Sequence, residues 1–141
     1  MSDNRTLIER VWGIMQSRKL DRLGEVLAPT CEFGMSGGVR ASGVDAFRGM
    51  LETWLTAFPD LRYEIRETVE QANTIAVRLF VRGTHTGPLN GPDGTIPATG
   101  REVVWDSVDW VKIENGKVAS WNVYEDGMAF MAQLGLLPPK K

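Results

Sequence analysis

The sequence predicts an α+β fold in which N-terminal helices pack on an antiparallel sheet. Three observations predict it. Apolar residues recur at helical spacing from Leu7 to Phe58. From Leu61 onward the repeat shortens to two, as in strands with one buried face. Helices followed by consecutive strands with short turns give segregated layers and an antiparallel sheet.

The elements follow in order. Leu7, Val11 and Ile14, with Ile8, Trp12 and Met15 beside them, predict a first helix that Ser2 or Asp3 can cap. Leu20, Leu23 and Leu27 share a face of a short second helix, Leu20 to Leu27, which Pro29 stops. Cys31 to Met35 reads as a short strand before the turn-prone Ser36, Gly37 and Gly38. A third helix, Val44 to Phe58, carries Phe47, Met50, Leu51, Trp54, Leu55 and Phe58 in one wide stripe, and Pro59 and Asp60 end it.

The strands come next. Leu61, Tyr63 and Ile65 alternate with Arg62, Glu64 and Arg66. Ile75, Val77, Leu79 and Val81 alternate with Ala76, Arg78, Phe80 and Arg82. The stretch from Gly83 to Gly100 has no period and reads as a loop long enough to fold over a pocket mouth. A long strand follows, with Val103, Trp105, Ser107, Asp109, Val111 and Ile113 on one face and Val104, Asp106, Val108 and Trp110 on the other. Glu114, Asn115 and Gly116 read as a tight hairpin turn. Beyond it Ala119, Trp121 and Val123 oppose Val118, Ser120, Asn122 and Tyr124. A last helical turn or two covers Met128 to Leu134, with Gly135 as its stop.

Composition narrows the function. The 141 residues suit one domain, and no repeat or linker divides residues 1–141. With 43% hydrophobic and 24% charged residues the chain is of ordinary globular make-up. The net charge is −2 and the basic residues alternate with acidic ones, so no nucleic-acid footprint exists; Lys140 and Lys141 are only a short tail. Cys31 is the only cysteine, which excludes an internal disulfide and a cysteine-built zinc site. The polar N-terminus has no signal-like apolar stretch and no run could span a bilayer, so a cytoplasmic location without a membrane partner is expected. One histidine without grouped acids argues against a metal, and no glycine-rich loop joins a strand to a helix, so no cofactor is expected.

Three segments carry a family resemblance. Ala57-Phe58-Pro59-Asp60-Leu61 closes the third helix. Gly83-Thr84-His85-Thr86-Gly87 precedes Ile96-Pro97-Ala98-Thr99-Gly100-Arg101. Asn115-Gly116-Lys117-Val118 leads through Trp121 to Asp126 and then to Gln133-Leu134-Gly135. With the order of elements, these segments resemble the SnoaL-like family, within the superfamily of nuclear transport factor 2 and ketosteroid isomerase, over nearly the whole chain. The resemblance implies a cone-shaped fold: a curved mixed or antiparallel sheet wrapped by three N-terminal helices, with a short C-terminal helix. It also implies cofactor-independent acid–base chemistry, of polyketide cyclase or ketosteroid isomerase type, on a small hydrophobic carbonyl compound. The fold hosts unrelated activities, so a non-catalytic binding domain or an epoxide-hydrolase-type enzyme are the alternatives.

The family's acids transfer only in part. The last-strand aspartate of the cyclases falls on Val123, which cannot move a proton. The first-strand base of the isomerases falls near Gly34 and Met35, and their first-helix tyrosine has no counterpart; the nearby aromatic is Trp12. Their protonated aspartic acid before the final hairpin corresponds, after a one-residue gap, to Asp109, where the cyclases have a histidine.

The catalytic candidates are therefore Asp109 and His85. Asp109 shares a strand face with Trp105, Ser107 and Val111, where a carboxyl would be held protonated by poor solvation. The competing reading is solvent exposure, or an ion pair with Arg78. His85 can serve as a general base or as a structural hydrogen-bonding group where a strand enters the loop. Asp106 lies on the opposite strand face, and Asp126 suits a helix N-cap. The resemblance assigns the pocket wall to Trp12, Phe33, Met50, Trp54, Phe58, Trp105, Ser107, Trp121 and Val123, with Phe47 beside them. If Asp109 faces inward, Val104, Val108 and Trp110 face outward, and that apolar stripe predicts a homodimer.

Overall fold

A computed structural model describes residues 3–35, 38–91 and 94–137. The expectations placed on Ser2, on Ser36 and Gly37, and on Lys140 and Lys141 lie outside the described residues. The first helix, α1, spans Asp3–Ser17 and buries Leu7, Ile8, Val11, Ile14 and Met15, the stripe its spacing predicts. Next comes a 3-10 helix, Leu20–Glu25, then strand β1, Leu27–Met35, and strand β2, Val39–Ser42. Helix α2, Val44–Ala57, follows with Phe58 as its C-cap. The remaining elements are β3 (Arg62–Gln71), β4 (Thr74–Thr84), β5 (Leu89–Gly91), β6 (Gly94–Ile96), β7 (Glu102–Glu114), β8 (Lys117–Tyr124) and α3 (Gly127–Gln133).

Six strands form one sheet in the order β2-β1-β8-β7-β4-β3. Every neighbouring pair is antiparallel except β1 and β8, which run parallel. The sheet is mixed because α2 carries the chain from β2, at one edge, to β3, at the other. The later strands then work back until β8 meets β1.

Four local readings change. The second helix is shorter than its leucines suggest, because Leu27 already begins β1. Pro29 sits inside that strand, in the stretch between Leu27 and Glu32 where the ladder to β8 shifts register. Proline has no N–H to donate, and an irregular stretch is where a strand tolerates it. The edge strand β2 is too short to show a period. The stretch from Gly83 to Gly100 contains a ribbon of β5 paired with β6, which buries Leu89. Finally, Val118 and Trp121 are both buried although simple alternation puts them on opposite faces. The register with β7 slips between Lys112 and Ile113, and the extra residue at Ala119 turns Val118 inward. The preceding hairpin is as read: Asn115 and Gly116 both have positive φ, 52° and 75°, as a two-residue turn between twisted strands requires.

Candidate functional site

The inward face of β7 is the floor of the site. Val103, Trp105, Ser107, Asp109, Val111 and Ile113 are all buried, while Asp106, Val108 and Trp110 are exposed. Above this floor, α1 and α2 leave a cavity of about 100 Å³ against the sheet. Its wall is mainly aromatic and aliphatic. Trp12 comes from α1, Phe47, Leu51 and Trp54 from α2, Phe33 from β1, Trp105 from β7 and Trp121 from β8. These rings brace one another. Phe33 and Phe47 meet edge to face at 5.0 Å, and Trp54 and Trp105 do so at 5.9 Å, the geometry that aromatic quadrupoles favour.

The polar groups lining the cavity lie on one side of it: Ser107, Asp109 and Glu125. Asp109 is 2% exposed. The Trp121 indole Nε1–H donates to Asp109 Oδ2 at 2.9 Å, and the Ser107 hydroxyl donates to Oδ1 at 3.4 Å. Sheet register explains the first contact. Asp109 pairs with Val123 and Val111 with Trp121, so the indole reaches Asp109 along the diagonal of adjacent strands. Burial pushes the Asp109 carboxyl up to about 7; the two hydrogen bonds pull it down, and the charge of Glu125 pushes it up further. Glu125 lies just past β8, half-buried, and burial raises its carboxyl to about 7 as well. Among the described residues that line the cavity there is no Lys, Arg or His.

Of the other residues expected in the wall, Trp12, Phe33, Trp54, Trp105, Ser107, Trp121 and Val123 line the cavity. Met50 and Phe58 do not. Phe47, Leu51 and Trp54 form the inner stripe of α2, spaced four and three residues apart, and Met50 falls to its flank, packed against the core. Phe58 is fully buried one layer further back, with its ring 4.9 Å from Trp105 and 5.2 Å from His85.

His85 is likewise fully buried and outside the cavity lining. Its Nδ1 accepts from the Thr99 backbone N–H at 3.3 Å and lies 3.0 Å from the Thr99 hydroxyl. The His85 N–H donates to Arg101 O, and Gly100 N–H donates to His85 O, so the residue pins the end of the 83–101 segment to the core. Burial lowers its basicity. Arg78 lies across the sheet from Asp109 and pairs with Asp106 at 3.0 Å on the exposed face, so no ion pair with Asp109 forms. Asp126 caps α3, accepting the Ala129 N–H at 3.0 Å.

Glu125 is the polar cavity residue that the sequence reading missed, and Val11, Met15, Met35, Leu51, Leu61 and Val81 are apolar ones. For Glu125 the signal was present: Trp121, Val123 and Glu125 continue the period of two beyond the last residue of the strand. Among the described residues, no group of three or more His, Cys, Asp or Glu side chains could hold a metal ion, and no helix is long and apolar enough to cross a membrane.

Residues 3–134 match the family of SnoaL-like polyketide cyclases. Among solved structures, the chain is similar to a SnoaL-like polyketide cyclase candidate from Jannaschia sp. CCS1. The identity is 18% and the TM-score 0.85, with 97% of this chain and 94% of the other covered. TsrD from Streptomyces laurentii is 23% identical with a TM-score of 0.81, covering 96% of each chain. IdmH from Streptomyces antibioticus, a polyketide cyclase candidate, is 21% identical with a TM-score of 0.77, covering 94% of this chain and 98% of its own. No curated protein matches the chain.

Proposed function

The chain belongs to the SnoaL-like polyketide cyclase family, and on that premise we propose that it is a cofactor-independent acid–base enzyme of cyclase or isomerase type. Its substrate is a small hydrophobic carbonyl compound held in the cavity. The observation that carries this reading is Asp109, a buried carboxyl facing an aromatic cavity with no cation beside it. A carboxyl raised to about 7 is largely protonated just below neutrality. Its proton can then hydrogen-bond a substrate oxygen as negative charge develops there during enolisation. The Trp121 indole occupies Oδ2 and leaves Oδ1, next to the Ser107 hydroxyl, as the oxygen that turns to the ligand. His85 is outside this chemistry because Phe58 and Trp105 stand between its ring and the cavity.

The valine at 123 favours a second reading, in which the cavity binds its ligand without turning it over. The epoxide-hydrolase alternative loses its support, because Arg78 is paired on the other face of the sheet. We further propose that residues 1–141 act as one domain, in the cytoplasm, as a homodimer joined through the outer sheet face, with a small hydrophobic molecule as ligand and neither nucleic acid nor membrane as partner.

The test uses β-naphthol as an enolate mimic and β-tetralone as a ketone whose α-protons exchange on enolisation. Both should act on the wild-type protein: saturable naphthol binding by fluorescence and accelerated deuterium uptake by NMR. Asp109→Asn, which keeps a donor of similar shape, should retain part of the naphthol affinity. Asp109→Leu should lose roughly 1–3 kcal/mol of it, as for a buried neutral hydrogen bond. Naphthol binding without deuterium uptake would favour the binding-only reading, and equal affinity in all three proteins would remove Asp109 from the site.

A further inference from the structure

The geometry points to Glu125 as the second acid–base group of the cavity, the one that takes the substrate proton while Asp109 holds the substrate oxygen. This inference rests on the proton-transfer reading and extends it to a residue two positions beyond Val123. The first support is register. Val108 pairs with Tyr124 and Asp109 with Val123, so the same ladder continued by one residue sets Glu125 opposite Ser107. Ser107, Asp109, Val123 and Glu125 all line the cavity, and on that continuation the two carboxyls would occupy one diagonal of a square. Diagonal neighbours on a sheet face are about 7–8 Å apart at the backbone, within reach of a long side chain. Glu has one methylene more than Asp and can lean back over Val123, whose side chain leaves that part of the wall apolar.

The second support is the division of surroundings. Asp109 is sealed in, and Trp121 and Ser107 fix its orientation. Glu125 is half-buried at the strand end, so it faces the cavity and can still exchange a proton with water. Among the described residues, Asp109 on β7 and Glu125 just past β8 are the titratable groups that line the cavity. The charge of Glu125 acts on Asp109, and burial raises both carboxyls. Two such groups release their protons in two steps that belong to the pair, leaving one proton shared over an intermediate pH range. In that state one carboxyl is an acid and its partner a base.

The proton balance closes without a co-reactant. The Glu125 carboxylate takes a proton from the carbon next to the carbonyl, and the C–H electron pair becomes the C=C bond of the enolate. The enolate oxygen receives a hydrogen bond from protonated Asp109. Glu125 exchanges its new proton with water, and return of a solvent-derived proton to carbon restores the ketone and leaves Glu125 a carboxylate.

The experiment compares wild type, Glu125→Gln and Glu125→Asp in three readouts: β-naphthol affinity, deuterium uptake by β-tetralone across pH, and the carbon-13 titration of the Asp109 carboxyl. Glu125→Gln should lower the exchange rate at saturating ketone by roughly 10²–10⁴-fold, the usual range for one general base, with little change in naphthol affinity. Glu125→Asp should recover part of that rate. The Asp109 titration should move to lower pH in Glu125→Gln, because a neighbouring negative charge has been removed. Exchange by Glu125→Gln at the wild-type rate would overturn the role of Glu125 and leave the proton-transfer reading standing. Absence of exchange in the wild-type protein would overturn both.

Discussion

At Asp109, burial and hydrogen bonding act in opposite directions, and burial dominates: the carboxyl rises to about 7 despite the indole donor of Trp121. The consequence for stability has a definite sign. Between the unfolded pKa, near 4, and the folded value the native state keeps a proton that the unfolded chain has released. Stability therefore falls as pH rises through that window. The full loss for Asp109 is roughly 4 kcal/mol, since the two values lie about three pH units apart and each unit corresponds to about 1.4 kcal/mol. His85, whose basicity burial lowers, has the opposite slope, because the unfolded chain protonates it as pH falls below about 6.5. The informative quantity is thus the difference between wild type and Asp109→Asn in urea unfolding at about pH 5 and about pH 8. The wild type should lose stability relative to the variant as pH rises. Equal slopes would mean that Asp109 ionises normally in the folded protein.

Among the elements, α3 has the least predictable attachment. It has seven residues, yet it closes a gap that the sheet leaves open. The pairing of β8 with β7 ends at Tyr124 opposite Val108, so at Val104 β7 has β4 on one side and no strand on the other. Gln133 takes that place: its Oε1 accepts the Val104 N–H at 2.8 Å and its Nε2 donates to the Val104 carbonyl at 2.9 Å. Phe130 then stacks on Trp105, 5.3 Å between centroids, at the back of the cavity wall. Gln133→Ala is expected to cost about 1–3 kcal/mol by stranding a half-buried backbone pair. Hydrogen exchange at the Val104 amide should quicken more than at Val111 in the middle of the ladder; uniform quickening would mean that α3 is not held locally. The sequence carried the helix and its Asp126 cap, because both are local signals. The glutamine clamp depends on where β8 stops, and nothing near Gln133 in the chain records that.

For the whole molecule, the outer sheet face is the feature left uncovered. Trp110 is 47% exposed, Val108 40% and Tyr124 59%, and Val108 and Tyr124 are direct cross-strand partners. Arg78 and Asp106 pair beside them on the same face. A contiguous apolar patch with a charged rim is what a self-associating surface presents, which supports the proposed homodimer. Trp110→Asp should give a monomer by sedimentation at micromolar concentration, with the far-ultraviolet spectrum of the wild type. A wild-type protein that already sediments as a monomer would refute the dimer.

What the sequence determined by itself was the face of each side chain. Alternation along β7 put Asp109 inside with Trp105 and Ser107 and sent Asp106 and Trp110 outside, because a strand reverses direction at every residue. Helical spacing did the same for the buried stripe of α1. Only the tertiary structure decided depth and company. It set Phe58 behind the cavity instead of in its wall and left the candidate His85 outside the lining, paired β1 parallel with β8, turned Val118 inward at a bulge, and brought Glu125 to the cavity with Asp109. Periodicity is fixed by the geometry of the backbone within a few residues. Distance between layers depends on how far α1 and α2 sit from the sheet, which is settled by the packing of side chains remote from one another in sequence.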